Sequence, residues 1–447
     1  MIKKNLTPSI LIRIMIYLLI WCVYLWFMKI NAPLGIDWLE WHFQRIYNFS
    51  EYLKINGYFL NYGFSIWSSC DDCSLNKIDW KKGIYLSQNI FTHSPYIIIN
   101  HFFGKIGLSI IGPLLDKSII FLSGVILAEI VFKYFKFNSS IFFKNIISLA
   151  IFILFVANPW TYKMILASWY LVYFLFFILL GLLFILQKRY TLSLFAFFLS
   201  ALFSDQAALI IVVYYLILYL IFKLHYKLKF LRLDDFTNKL KPKIIERTFY
   251  AFLIPVLGQF LLRFFAKINL SDSFLGSSIL YRIGISGNDI HNGGIIGAFQ
   301  FLGGNRITNC LSNSANLEFL YNPFELNKSI QIYNCFLSTI SMYLVSLISI
   351  YGIIIFYKKF KDFRFFIAPV SFLLIFYIMI LQQSLSVHLM GYSYIFSLLF
   401  SLGISSIIIE MSKINKFIYI KSLILFPLFV GIILLSIRIS MMTGSNG

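Results

Sequence analysis

The stretch Gly35-Ile36-Asp37-Trp38-Leu39-Glu40-Trp41-His42-Phe43-Gln44-Arg45-Ile46 places two carboxylates, an imidazole and a guanidinium directly after an apolar run. At about 100° per residue, Asp37, Glu40, Gln44, Asn48 and Glu51 fall on one stripe of a helix, with Leu39, Phe43, Ile46, Phe49 and Leu53 on the opposite side. Trp38, Trp41, Tyr47 and Tyr52 suit a helix lying at the level of lipid headgroups, where a ring is half wet. A carboxylate held at that depth is partly desolvated, which suits it to act as general base on a hydroxyl or to hold a divalent metal. Asp37 is the stronger candidate and Glu40 the second, while His42 and Arg45 are placed to contact substrate. The competing structural role is the wet face of a surface helix, with Asp37 as its N-cap.

A third acid, Asp205, stands in Phe203-Ser204-Asp205-Gln206-Ala207, where the surroundings are otherwise apolar and a charge is costly without a partner or a task. Its structural alternative is to cap the following helix together with Ser204. Arg263 and Lys267 lie one turn apart, and Arg282 and Arg306 follow. Cations at a membrane surface grip phosphate. The alternative, preferred for Lys267, is a side chain that reaches out to the interface. Gln382-Gln383-Ser384-Leu385-Ser386-Val387-His388 ends in a histidine that either contacts substrate or serves as a hydrogen-bonded turn residue, and Asn158-Pro159-Trp160-Thr161-Tyr162-Lys163 forms another polar turn.

Apolar residues make up 60% of the 447 positions and charged residues only 13%, so the elements that hold these groups must be solvated by lipid. Apolar runs of membrane-crossing length recur along the chain. We place about eleven spans, near 10–30, 114–134, 144–158, 165–187, 190–204, 207–223, 249–267, 333–357, 365–382, 388–410 and 418–438. Lys3 and Lys4 resemble the start of a signal peptide, but the apolar run continues into Asn31-Ala32-Pro33 without a small-residue cleavage site and is read as the first span. With the amino terminus in the cytoplasm, the connections Lys133–Lys144, Lys188–Arg189, Lys223–Arg247, Lys358–Arg364 and Lys413–Lys421 are all cytoplasmic and all basic. The short connections on the other side hold a single lysine between them, which is the positive-inside pattern. The net charge of +20 is spread over these connections instead of forming one stripe, which argues against a nucleic-acid partner.

The chain is thus expected to be all-α, a single polytopic membrane domain with two long extracytoplasmic loops, 31–113 and 269–331, the first with membrane-embedded pieces around 96–111. Cys70, Cys73, Cys310 and Cys335 fall in or beside these loops, where Cys70 with Cys73 and Cys310 with Cys335 are candidate disulfides, while Cys22 lies in the first span. Glycines in Ser286-Gly287-Asn288-Asp289 and Gly303-Gly304-Asn305-Arg306 permit tight turns around a polar ligand but lack phosphate-loop spacing. No Walker motif, zinc-protease motif or nucleophile elbow is present. Asp116, Lys117, Glu129, Asp205, Arg263 and Glu410 lie toward span ends, whereas ion-coupled carriers place charges near the midplane, so a transporter is the weaker reading.

A first span, a long outer loop opening with Asp37 and Glu40 on an interfacial helix, about eleven spans and polar residues at outer helix ends together resemble the GT-C class of polytopic glycosyltransferases. The resemblance implies a GT-C-like fold in a plasma membrane, bacterial by the Ile, Phe, Lys and Asn usage. It implies a sugar donor on a polyprenyl phosphate, transfer to a glycan or lipid acceptor on the extracytoplasmic face, and Asp37 as base or metal-site acid. Magnesium or manganese is the cation such a site would take. The chain differs from mannosyltransferase-like members in having no adjacent acidic pair after the first span. A surface-polysaccharide polymerase or ligase, and a flippase or exporter of lipid-linked sugars, are the alternatives.

Overall fold

In the computed structural model the described residues are 8–31, 46–51, 53–54, 64–66, 84–134, 141–158, 171–228, 242–269, 346–359, 364–380 and 388–412, with single positions such as Thr161 and Met164. They are helical apart from a small antiparallel hairpin, β1 (Phe64–Ile66) with β2 (Ile84–Asn89), in which Ile66 faces Ile84. The helices are α1 (Pro8–Asn31), α2 (Ile90–Tyr134), α3 (Ile141–Val156), α4 (Leu171–Leu186), α5 (Tyr190–Phe203), α6 (Asp205–Leu228), α7 (Pro242–Asn269), α8 (Arg364–Ile380) and α9 (His388–Ser412). A further helical segment covers 346–359. The expected span at 418–438 lies outside the described residues. Two helices, Ile90–Tyr134 and Ile244–Phe265, are long and apolar enough to cross a membrane, and several shorter apolar helices stand beside them.

Side-chain pairs fix the helix directions. Arg13 on α1 meets Glu129 on α2, and Trp21 meets Phe121, so partner numbers fall on one helix as they rise on the other and the two are antiparallel. The Ser148 hydroxyl of α3 donates to the Ala128 carbonyl at 3.0 Å, and a Cβ on Gly124 would stand 3.1 Å from Phe152, which makes α2 and α3 antiparallel as well. Ser200 against Phe174 and Phe197 against Gly181 give the same relation for α5 and α4. Phe197 and Gln259 set α5 and α7 parallel, as expected for helices two apart in an up-and-down succession. Segment 346–359 and α9 also run parallel, with Ser349 near Gly403 and Lys359 paired with Glu410. A side chain at Gly352 would run into the Gly403 carbonyl, so both glycines are needed for this crossing.

Helix α2 is not one rod. Gly104 adopts φ 65° and ψ −166°, a backbone conformation that glycine reaches without a Cβ penalty. Tyr96 donates to Asp116 at 2.7 Å across 20 residues of sequence, a span that a straight helix would stretch to about 30 Å. The two arms, 90–103 and 105–134, therefore fold back on each other at Gly104, and Gly112 leaves room for the Tyr96 ring, 3.5 Å from the position of an added Cβ. The sequence reading placed a span at 114–134 and embedded pieces around 96–111 without joining them.

Polarity is distributed inside out. Arg13, Asp116, Glu129, Asp205 and Arg263 are buried, whereas Leu11, Met15, Leu19, Phe195, Leu216, Leu257, Tyr351 and Ile375 are exposed. On α1 the buried face is Arg13, Tyr17, Trp21 and Tyr24, at the i, i+4, i+8 and i+11 spacing of a single stripe.

Candidate functional site

The first of the catalytic candidates to be placed by the fold is Asp205, the opening residue of α6. The Ser204 hydroxyl accepts the Ala207 backbone N–H at 3.4 Å, so the expected cap is Ser204, which releases the Asp205 carboxylate for a long-range partner. That partner is Arg263, near the end of α7, and the two side chains are 6% and 5% exposed. One turn before Arg263, Gln259 is buried and directs its amide N–H groups toward the Ala201 and Leu202 carbonyls at 3.4 and 3.3 Å, closing the end of α5 onto α7. Two residues chosen separately, one as a base and one as a phosphate ligand, thus meet each other. With its carboxylate engaged by the guanidinium, Asp205 is placed to orient Arg263.

A second acid, Asp116, occupies the same end of the helices. It is buried and accepts the Tyr96 hydroxyl at 2.8 and 2.7 Å and the Tyr173 hydroxyl at 2.7 Å. Tyr173 stacks on Phe203, ring centroids 5.0 Å apart, and Phe203 immediately precedes Ser204 and Asp205. One continuous wall therefore runs from Asp116 through Tyr173 and Phe203 to Asp205 and Arg263. In the sequence Asp116 is legible only as a charge near a span end, and neither tyrosine stands out. Their signal is the fold-back at Gly104, which puts residues 20 apart into contact and follows no helical period.

Residues 46–51 and 53–54 pack on the first arm of α2. Ile46, Phe49 and Leu53 are buried, as the apolar stripe requires, but that stripe faces protein: Phe49 meets His93 edge-on at 5.9 Å, and His93 lies 6.5 Å from Tyr96. Leu39 and Phe43 of the same stripe lie outside the described residues. The Asn100 amide donates to Glu51 at 2.8 Å, and Lys54 stands 3.9 Å from the same carboxylate. Burial, reinforced by Glu51, raises the pKa of the Tyr47 hydroxyl, and the Lys105 ammonium lies 5.0 Å over the Tyr47 ring.

The turn after α3 completes this end. The Asn158 amide donates to the Leu154 and Phe155 carbonyls at 2.8 and 2.7 Å, the Thr161 backbone N–H donates to Asn158 Oδ1 at 2.9 Å, and the Thr161 hydroxyl reaches Ser397 on α9 at 2.8 Å. All three side chains are buried, so this polar turn serves as a joint between α3 and α9.

Asp37, Glu40, His42, Arg45, Arg282 and Arg306 lie outside the described residues, as do Cys70, Cys73, Cys310 and Cys335. His388 begins α9. Among the described residues no group of three or more His, Cys, Asp or Glu side chains is set to hold a metal ion. Asp205 is engaged by a guanidinium and Asp116 by two hydroxyl donors, and neither arrangement is a cation cage. Compared with protein-family models, characterised proteins and solved structures, the chain matches nothing.

Proposed function

We propose that the chain is a polytopic membrane glycosyltransferase of GT-C-like architecture that moves a sugar from a polyprenyl-phosphate donor to a glycan or lipid acceptor at the extracytoplasmic face. The observation that carries this reading is the convergence of Asp116, Tyr96, Tyr173, Asp205 and Arg263 at one end of the helices, beside the segment that follows Asp37. Buried charge surrounded by exposed apolar side chains is what lipid solvent requires. Alternating helix directions support successive crossings, and in this reading both long loops belong to the end where these residues gather. The same reading assigns the lysine-rich connections to the other end, where Arg13–Glu129 and Lys359–Glu410 pair.

In this reading Asp37, with Glu40, takes the proton from the acceptor hydroxyl. Arg263, aimed by Asp205, stabilises negative charge on the departing lipid phosphate, and Arg282 and Arg306 add to it from the second loop. His42, Arg45 and His388 border the sugar. Asp37 and Glu40 are the acids that would hold a divalent cation, since Asp205 and Asp116 are already engaged.

The test is to give purified full-length protein in detergent a radiolabelled polyprenyl-phosphate sugar and a glycan-lipid extract. Label moving to an acceptor, with free polyprenyl phosphate released, supports transfer. Donor recovered chemically intact, but translocated when the protein is placed in sealed vesicles, overturns transfer in favour of a flippase.

A further inference from the structure

The turn of the α2 hairpin carries a cluster of strongly exposed apolar side chains next to the candidate site. Ile106 is 77% and Phe102 72% exposed, and Ile98, Phe103 and Ile110 are also open. The inner faces of the same arms are closed, with Tyr96, Ile99, Asn100, Leu108 and Gly112 buried. The hairpin is thus amphipathic in an unusual sense: its polar anchor, Asp116 with Tyr96, faces protein, and its greasy side faces away. Water does not solvate such a surface cheaply, and two phenylalanines and three isoleucines around one hairpin would favour aggregation if left wet.

Two cationic or titratable groups, His101 and Lys105, flank this apolar tip, and both are exposed. A lysine at a tip is incompatible with deep immersion in hydrocarbon and well suited to the headgroup layer, where its ammonium meets lipid phosphate while its stem lies on apolar surface. Its position over the Tyr47 ring, a side chain of the kind that favours the interface, sets the same depth.

We propose that the α2 hairpin is a shallow membrane dock whose Phe102–Ile106 turn enters the outer leaflet, with Phe102, Phe103 and Ile106 among the upper acyl chains and Lys105 paired with anionic lipid phosphates. The Asp116–Tyr96 bond holds the hairpin down, so the dock and the wall containing Tyr173 and Phe203 are fixed to each other. The proposal uses the bilayer of the preceding reading but not sugar transfer, and the two fail by different measurements.

The experiment replaces Phe102 with 4-trifluoromethylphenylalanine in the full chain and reconstitutes it in phosphatidylcholine vesicles with or without phosphatidylglycerol. Fluorine relaxation is then compared for nitroxides on the headgroup, on the upper acyl chain and at the acyl terminus, and for a soluble paramagnetic chelate. Relaxation several-fold stronger from the headgroup and upper-chain labels than from the chelate is expected. Phosphatidylglycerol should increase it, and Lys105→Gln should remove that increase. Dominant relaxation by the chelate overturns the proposal, as does dominance of the acyl-terminal label. Protection from every probe would show that protein covers the turn, which overturns it too. Lys105→Gln leaving the phosphatidylglycerol effect intact removes the role given to Lys105.

Discussion

Arg263 on α7 and Asp205 at the start of α6 form a buried ion pair with 5% and 6% of their side chains exposed. Removing one member strands the other's charge, at a cost of about 3–5 kcal/mol, whereas neutralising both costs far less. Arg263→Ala is therefore expected to lower the thermal midpoint in detergent sharply, and Arg263→Gln with Asp205→Asn to recover most of it. Donor binding should remain weak in the recovered double variant, because the guanidinium is still missing. Full donor affinity there would reduce the pair to scaffolding.

Asp116 receives hydroxyl hydrogen bonds from Tyr96 and Tyr173. Each is a bond to a carboxylate in a buried place, worth about 1.5–3 kcal/mol. Tyr96→Phe should free the first arm of α2 specifically, raising hydrogen exchange across 90–103 while leaving α4 protected. Tyr173→Phe should instead loosen the stack on Phe203. Uniform exchange changes in both variants would contradict the separate anchoring of the two arms.

Gly104 holds φ 65° at the turn of the hairpin, with no heavy atom within 4 Å of an added Cβ. Space is available, so the penalty of Gly104→Ala is conformational alone, about 1–3 kcal/mol for a positive φ with extended ψ. Gly352→Leu, by contrast, meets the Gly403 backbone and should separate segment 346–359 from α9. Thermal unfolding of the two variants checks the order: a milder loss for Gly352→Leu would refute the close crossing.

Arg13 and Glu129 form a two-bond pair at 2.8 and 2.9 Å, with the Arg13 guanidinium over Phe132. Single reversals, Arg13→Glu or Glu129→Arg, should reduce the folded yield. The double reversal should restore much of it, measured as monodisperse protein after extraction.

Asp37→Asn is expected to abolish label transfer without changing yield or membrane insertion, since a base that loses its negative charge cannot accept the acceptor's proton. Undiminished turnover would move the base elsewhere, with Glu40 the next position to test.

Composition and local period were enough to specify the helical class, most helix limits within a few residues, and the buried stripe of Ile46, Phe49 and Leu53. These properties are legible because burial and helical repeat act over neighbouring residues. The same local information singled out Asp205 and Arg263, since charges in apolar surroundings stand out one at a time.

What joined them was decided only in three dimensions. Asp205 and Arg263 are 58 residues apart, and no local pattern says that α6 begins where α7 ends. Tyr96 looks like any interfacial aromatic until Gly104 reverses the chain and sets it on Asp116. Pairing of buried charges and hydroxyls depends on which helix faces which, and that choice is made by packing over the whole bundle: Gly124 under Phe152, Gly181 under Phe197, Gly352 against Gly403.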